Sequence, residues 1–349
     1  METAGFEKIP LKRFSLFHHY EKKRIPFSIT FEITSRCNIQ CRHCYLNKPA
    51  SDSVALSNEI SFKRIQQIAD QAADLGIIWC SITGGEPLLR DDFADIYLYL
   101  KKKGFLVSIL TNATLFNDSH MQLFKKYPPR MIEITVYGIS EKTYNRVTRT
   151  KGLFHKAMGG IELALKSKNK ILFKTTLMNS NKHEIVKIAE FCSSHENSAF
   201  LLNYNIHLRV DGNQTLNKII KSERLQPEEL KDISRSLTEY TSQDTFEDGI
   251  KRSHDDFFNG NLFTCNAGIN SCWIDYESYA CFCPLLRHDT YRYGLEKGTL
   301  LDFWENFAPK IACMSSQNEK YLKTCCSCSS RKNCYWCPAI SYLENGLLD

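Results

Sequence analysis

A chain of 349 residues with 43% hydrophobic content is long enough to pack about two domains. Its formal net charge of +6 sits in short clusters, EKKR at 21–24 and KKK at 101–103, with acids interleaved elsewhere. That balance argues against nucleic acid as a partner. No apolar run reaches the roughly 18–20 residues of a membrane-spanning helix and no signal-peptide core opens the chain, so a cytoplasmic protein with no membrane partner is expected.

From Phe27 to Leu208, short β-branched or aromatic runs alternate with longer helical ones, the pattern of βα units around a parallel sheet. Strands are predicted over 27–34, 77–83, 105–110, 131–138, 171–178 and 199–208. After the first comes FKRIQQIADQAADLG, in which Phe62, Ile65, Ile68, Ala69, Ala72 and Leu75 follow the 3.6-residue period and Gly76 is placed to stop the helix. Six units predict an α/β fold, a partial (β/α)6 TIM-like barrel over 27–211, preceded by an N-terminal extension, 1–26. Residues 212–260, with the helical QPEELKDISRSLTEY, read as a connection to a small cysteine-rich domain over 261–349.

Fifteen cysteines without a secretory signal point to metal ligation or redox chemistry before disulfides. Three of them, Cys37, Cys41 and Cys44, form C-x3-C-x2-C directly after the first predicted strand. Barrels of this kind carry their chemistry in such loops, at the carboxyl ends of strands. A four-iron cluster needs one ligand per iron, so three thiols leave one iron open to a small molecule. A zinc knuckle completed by His43, or unligated thiols, is the alternative. ITGGEP follows the second strand, TNAT the third and YGIS the fourth, all on the same rim. In GGEP the glycines let backbone approach a ligand closely, Pro87 stiffens the turn, and Glu86 can accept a hydrogen bond from an ammonium group. Cys80 and Cys192, isolated in a strand and a helix, read as buried and inert.

The triplet, followed one βα unit later by GGEP, resembles the radical S-adenosylmethionine superfamily. The resemblance implies that Cys37, Cys41 and Cys44 ligate a [4Fe-4S] cluster whose fourth iron binds the amino and carboxylate groups of S-adenosylmethionine. His43 stands where the family places an aromatic or apolar residue near the adenine. Gly84, Gly85, Glu86 and Pro87 would adjoin the cosubstrate. Asn112, Thr135, Asn181 and Arg149, or its neighbour Arg146, lie where relatives touch its ribose, carboxylate or adenine. One electron, from a donor such as flavodoxin or ferredoxin, would release methionine and a 5'-deoxyadenosyl radical that removes a hydrogen atom from an unactivated carbon.

The C-terminal stretches CNAGINSC, CFCP and CCSCSSRKNCYWCPA resemble the SPASM extension of that superfamily, which carries one or two auxiliary [4Fe-4S] clusters. Carried over, Cys265, Cys272, Cys283 and Cys337 hold auxiliary cluster I, with Cys281 as the rival to Cys283. Cys325, Cys328 and Cys334 begin cluster II, whose fourth ligand is Cys313, Cys326, a non-cysteine group or none. A zinc ribbon is the alternative. Enzymes of this type act mostly on peptides, which implies an oxidoreductase that installs a crosslink, a thioether, an epimerised residue or an excision in a ribosomally made precursor peptide, a RiPP. Residues 1–26 are too few for a leader-recognition domain, so the barrel edge or a separate recognition protein would present the precursor. Sulfatase maturation to an aldehyde residue is a second enzymatic reading, although Tyr137 replaces the acidic residue common there, and a zinc scaffold is a non-catalytic one.

Overall fold

The computed structural model describes residues 24–240, 260–265, 267–328 and 336–349. Most of the N-terminal extension and residues 241–259 of the connecting segment therefore lie outside the described residues.

Six strands, β1 (Ser28–Glu32), β2 (Trp79–Thr83), β3 (Leu106–Thr111), β4 (Met131–Thr135), β5 (Ile171–Thr176) and β6 (Ser198–Asn203), stand side by side in chain order. Each pairs in parallel with the next. The connections carry α1 (Phe62–Asp74), α2 (Phe93–Lys102), α3 (Asp118–Lys126), α4 (Glu141–Thr148), α5 (Phe154–Lys166) and α6 (Ile185–Ser193). This is the expected partial barrel. Alternation along the strands sets its two faces. Ile29 and Phe31 join Ile82, Ile109, Ile134 and Phe173 in one core with the helix residues Ile65, Ile68, Ile96 and Ile188. The opposite face of β1, β2 and β3 carries Thr30, Ser81 and Ser108 in register, which makes the inner wall there polar.

The predicted α1 forms because Ser61 caps it, its hydroxyl accepting from the Arg64 amide at 3.2 Å, and because Ile65, Ile68, Ala69 and Ala72 share the buried face. Gly76, at φ +78°, follows its end. Four predicted strands ran past their observed ends, to 34, 138, 178 and 208. Their apolar tails are buried: Met178, Ile206 and Leu208 meet Val147 and Ile220 in a second, smaller core, and the amides of Val136 and Leu177 still bond to Lys174 and Asn203 beside them.

Residues 271–294, within the region expected as a cysteine-rich domain, extend the barrel sheet. β7 (Ser271–Ile274) pairs in parallel with β1, and β8 (Tyr279–Cys281) and β9 (Arg292–Gly294) continue antiparallel, so one nine-stranded sheet runs β9-β8-β7-β1-β2-β3-β4-β5-β6. A four-residue strand set between cysteines offers too short a period to read. Arg24, the first described residue, is tied to this region as well: its guanidinium lies 4.6 Å over the Trp304 ring and donates to the carbonyls of Gly268 at 2.8 Å and Trp304 at 2.6 Å. No helix among the described residues is long and apolar enough to cross a membrane. Cys80 and Cys192 are buried, as expected.

α5 packs with almost no clearance on the loop after β3, since a Cβ on Gly160 would stand 1.9 Å from the carbonyl oxygen of Ala113, whereas one on Gly159 would meet nothing within 4 Å. Gly160→Ala should therefore destabilise the fold by about 1–3 kcal/mol through overpacking. Gly159→Ala should instead stabilise it by about 0.5–1 kcal/mol. Urea unfolding of the two variants checks the contrast, and equal effects would refute the packing.

Candidate cluster and cosubstrate site

The cysteine loop leaves β1 while still paired with the strand beside it. The Ile33 amide donates to the Thr83 carbonyl at 2.9 Å, that of Gly85 to Thr34 at 2.8 Å, and that of Glu86 to Arg36 at 2.9 Å. GGEP thus lies flat on the backbone that leads into Cys37. A Cβ on Gly84 would stand 2.3 Å from the Thr34 carbonyl oxygen, and one on Gly85 2.3 Å from that of Arg36. The close approach expected toward a ligand is made toward the cysteine loop itself.

Side chains fix the rest of the loop. Arg36 forks onto Glu59 at 2.7 and 3.2 Å, and Arg90 donates to the carbonyls of Ile33 at 2.9 Å and Ile60 at 2.7 Å. The last turn of α4 offers unpaired carbonyls, and the amides of Gln40 and Arg42 fill those of Thr148 and Val147 at 2.9 Å each. Arg209, buried, donates to the carbonyls of Cys44, Leu46 and Asn47, each at 3.3 Å, with Asp211 balancing its charge at 2.7 Å. Arg42 pairs with buried Glu223, which also accepts from the Ser180 amide at 2.9 Å. Neither Arg209 nor Glu223 was singled out from sequence. Arg209 stood in HLRVDG just past the sixth predicted strand, a readable place, but Glu223 carries no local signal.

Cys37 and Cys41 are buried around Ile39, with Cys44, Tyr137 and Leu153 packed against them. Burial, followed at Cys37 by the charge of Glu86 and at Cys41 by that of the neighbouring thiols, pushes all three thiols above their ordinary range. Bare, they would stay protonated; three thiolates here call for the charge of a metal centre. Donors are already aimed at the sulfurs, the Asn47 amide 3.3 Å from Cys44 Sγ and Asn112 Nδ2 3.8 Å from Cys37 Sγ. His43 turns away: it lies 5.8 Å from the Tyr137 ring and lines another cavity, with Nδ1 buried and unpartnered. Among the described residues no three His, Cys, Asp or Glu groups converge on a single ion. Three soft thiols from one loop are the donor chemistry of a four-iron cluster with an open iron, and His43, facing another cavity, does not stand as the fourth ligand of a zinc knuckle.

Glu86 caps the short turn Pro87–Leu89. Its carboxylate accepts from the Leu88 amide at 3.1 Å, the Thr111 hydroxyl at 2.8 Å and the Asn112 amide at 2.7 Å. Burial outweighs these bonds and raises it to about 7. Three of about four acceptor positions are filled, which leaves one for an ammonium group. Asn112 also donates to Asn38 at 3.0 Å, so it belongs to the loop. Thr135 lines a cavity of about 270 Å³ at the carboxyl ends of β4, β5 and β6, with His43, Tyr137, Lys174, Thr176 and Asn203. Asn181 does not reach it. Its side chain closes its own turn, accepting from the Met178 amide at 2.8 Å and donating to the Thr176 carbonyl at 3.0 Å. Arg149, exposed at the end of α4, lines a second cavity of about 130 Å³ on the other side of the loop, beside Cys41, Cys44 and Arg209.

In the C-terminal region, Cys283 lies within charge range of Cys265 and Cys337. Cys281 points instead to Asp275 Oδ2, 3.6 Å away, so of the two neighbours Cys283 joins the thiol group. Cys272 sits on β7 opposite Ile29 and is buried in the core. Cys325 and Cys328 share one turn, the amide of the second 3.4 Å from the carbonyl of the first. Cys326 is buried in the core, Cys313 is exposed near Arg24, and Cys334 lies outside the described residues.

Residues 31–192 match the family model of the Radical SAM superfamily. These residues thus match a radical SAM domain, and the enzymes of that superfamily use a [4Fe-4S] cluster and S-adenosylmethionine. Among curated relatives, the subtilosin biosynthesis protein AlbA of Bacillus subtilis is 34% identical over 140 residues, 40% of this chain and 30% of AlbA. An AdoMet-dependent heme synthase of Methanosarcina barkeri is 28% identical over 47% of this chain and 46% of its own. The chain thus spans about a third to a half of the length of these two relatives. A GTP 3',8-cyclase of Aliarcobacter butzleri is 28% identical over 65% of this chain and 72% of its own. Among solved structures, Streptococcus suis SuiB bound to S-adenosylmethionine superposes with TM-score 0.71 at 17% identity, covering 97% of this chain and 78% of SuiB. The enzyme anSMEcpe with bound AdoMet gives 0.61 at 18% identity, covering 88% of each chain. At such identities the likeness is one of fold.

Gly85→Ala should force the backbone at Arg36 and Cys37 apart from GGEP. After anaerobic reconstitution its N-terminal iron should fall well below wild type, read by iron analysis and visible absorbance, and full iron content would refute the proposed fit.

Proposed function

We propose that this chain is a peptide-modifying radical S-adenosylmethionine enzyme with a SPASM-type C-terminal region, acting on a ribosomally made precursor in a reducing, cytoplasmic setting. The observation that carries the reading is the three-thiol loop, pinned on every side, with one wall of the 270 Å³ barrel cavity formed by its own His43. When bound, the cluster and cosubstrate supply the reducing electron and the hydrogen-atom abstraction. The chain's own residues do the rest. Glu86 has an acceptor position left for the cosubstrate ammonium, Asn112 and Asn47 present donors to the ligating sulfurs, and Tyr137 and Leu153 keep water from them.

A peptide substrate is supported by the polar inner wall, where Thr30 and Ser81 and the Lys174–Glu133 ion pair offer hydrogen-bonding groups to a main chain. It is supported too by relatives: SuiB has been solved with its precursor peptide SuiA, anSMEcpe with a Kp18Cys peptide, and AlbA serves the biosynthesis of a bacteriocin. In this reading Cys265, Cys272, Cys283 and Cys337 hold an auxiliary cluster, and Cys325, Cys328 and Cys334 begin a second. A flavodoxin or ferredoxin supplies electrons, and a separate leader-recognition protein is compatible with the barrel mouth.

Replacing Cys37, Cys41 or Cys44 with Ala should abolish S-adenosylmethionine cleavage and remove about four iron atoms per chain; retained cleavage refutes the ligand set. Cys283→Ala should lose auxiliary iron and peptide product, while Cys281→Ala should keep both. Mass spectrometry of short precursor peptides encoded beside the gene, after anaerobic reaction, tests the substrate class, and the absence of any mass change with all of them would sink it.

A further inference from the structure

The parallel strands have a second rim, at their amino ends, on the side of the barrel away from the cysteine loop. Backbone bonds tie it into one strip: the Leu106 amide donates to the Ile78 carbonyl at 2.9 Å, that of Arg130 to Val107 at 2.7 Å, and that of Ile132 to Lys170 at 2.9 Å. The starts of β2 to β5 therefore adjoin. The helices that run back to them, α2, α3 and α5, bring their last turns to the same rim.

Those last turns are basic. α2 ends in Lys101 and Lys102 with Lys103 behind them, α3 in Lys125 and Lys126, and α5 in Lys166, after which Lys168 and Lys170 lead into β5. No acid lies within 101–103, 125–130 or 166–170. Asp70 holds Lys103 and Glu162 holds Lys166, each at 2.7 Å. Lys102, Lys125, Lys126, Arg130, Lys168 and Lys170 are exposed with no carboxylate partner among the described residues. These six cations equal the +6 net charge of the whole chain, so the remaining residues sum to zero. Ordinary surfaces intersperse both signs, and here the acids Asp74 and Glu196 come only at the flanks, before β2 and β6.

Apolar side chains stand among the cations. Ile78 and Leu106, side by side, are 46% and 44% exposed. The half-buried rings of Trp79, Tyr99 and Tyr127 lie beneath Arg130, Lys103 and Lys126 at 4.3, 5.5 and 5.4 Å. Single exposed aliphatic residues are common, but a pair ringed by unpaired lysines and aromatic rings is the composition of a face that meets the boundary of water and hydrocarbon. Its shape points the same way: four strands about 4.8 Å apart make a strip about 14 Å across before the helix ends widen it. Most of its cations are lysines, point charges without the fork that grips one carboxylate or phosphate. A broad field of point charges matches a plane of headgroups better than one extended peptide.

We propose that the amino rim of the barrel, from Ile78 to Lys170, is a peripheral docking surface for an anionic phospholipid bilayer, with the lysines among the headgroups and Ile78 and Leu106 at the edge of the acyl region. Contact of this kind needs no spanning helix. Each cation near such a surface strengthens partitioning about fivefold, an attraction screened beyond about 8 Å at physiological salt. The contact uses none of the groups assigned to cluster or cosubstrate. It also sets an orientation: β3, six residues long, holds the rim about 20 Å from the loops at its carboxyl end, so the cavity mouth stays open to a peptide arriving from solution.

The test is flotation of the reconstituted full chain with vesicles of equal parts phosphatidylglycerol and phosphatidylcholine, beside vesicles of phosphatidylcholine alone, at low and high salt. Wild type should float with the anionic vesicles only, and high salt should release most of it. K126E/K168E should weaken binding at least about tenfold, and K102E/K170E should repeat the loss, so that a folding fault in one pair does not decide the matter. K142E/K151E, which reverses two exposed lysines following the carboxyl end of β4, should stay within about twofold of wild type. I78S/L106S should weaken binding several-fold and keep its salt dependence. Failure to float, equal binding to neutral vesicles, or equal losses from the two rims overturns the proposal. So does release of the protein from anionic vesicles by polyglutamate or RNA at matched charge, which would make the rim a site for a soluble polyanion.

Discussion

The constraint on which the site depends is backbone against backbone: Thr34 to Arg36 paired with Gly84 to Glu86, too close for any side chain between them. Two loops that follow neighbouring parallel strands ordinarily diverge, because each must turn into its own helix. Here they continue the ladder for three more residues, and Cys37 emerges at a fixed point. Glycine at 84 and 85 is therefore required by the protein's own geometry before any ligand is considered. The chemistry of the loop is inherited from that contact.

Charge then fixes what the ladder cannot reach. Arg36, Arg42, Arg90 and Arg209 each reach from or into the loop region toward a carboxylate or a run of carbonyls, and most of these groups are buried. Buried pairs of this kind add little net stability, since desolvation offsets their attraction, but they admit few alternative arrangements. A loop held this way loses little freedom when it acquires a metal, so more of the binding free energy is left for affinity.

The barrel was legible in the sequence because each βα unit repeats a period, and the thiol triplet and GGEP because their spacing is short and local. What escaped reading is long-range. Glu223 reaches Arg42 across 181 residues, and no local pattern encodes that. Asn181, matched to a family position, is consumed by its own turn, because an Asn beside free amides and carbonyls bonds the nearest of them. The C-terminal region read as a separate domain because its strands are short and cysteine-broken, while the pairing that joins β7 to β1 is visible only in three dimensions.

That joint carries a consequence for the two thiol groups. Glu32, at the end of β1, is fully buried against Arg287 at 2.8 Å, and Arg287 also faces buried Asp275 at 3.3 Å. Tyr45, one residue past Cys44, lies in the same charge field as Glu32, Arg287 and Cys283. One guanidinium thus sits at the junction of barrel, cysteine loop and C-terminal strands. Hydrophobic contacts there could slide by a fraction of an ångström at small cost, but displacing Arg287 would leave Glu32 unpaired in the interior and Asp275 with only Arg292 at 3.7 Å, a penalty of about 3–5 kcal/mol for a broken buried pair. Electrostatics therefore holds the cysteine loop and the C-terminal strands in register at this junction, where apolar packing alone would leave them freer to slide.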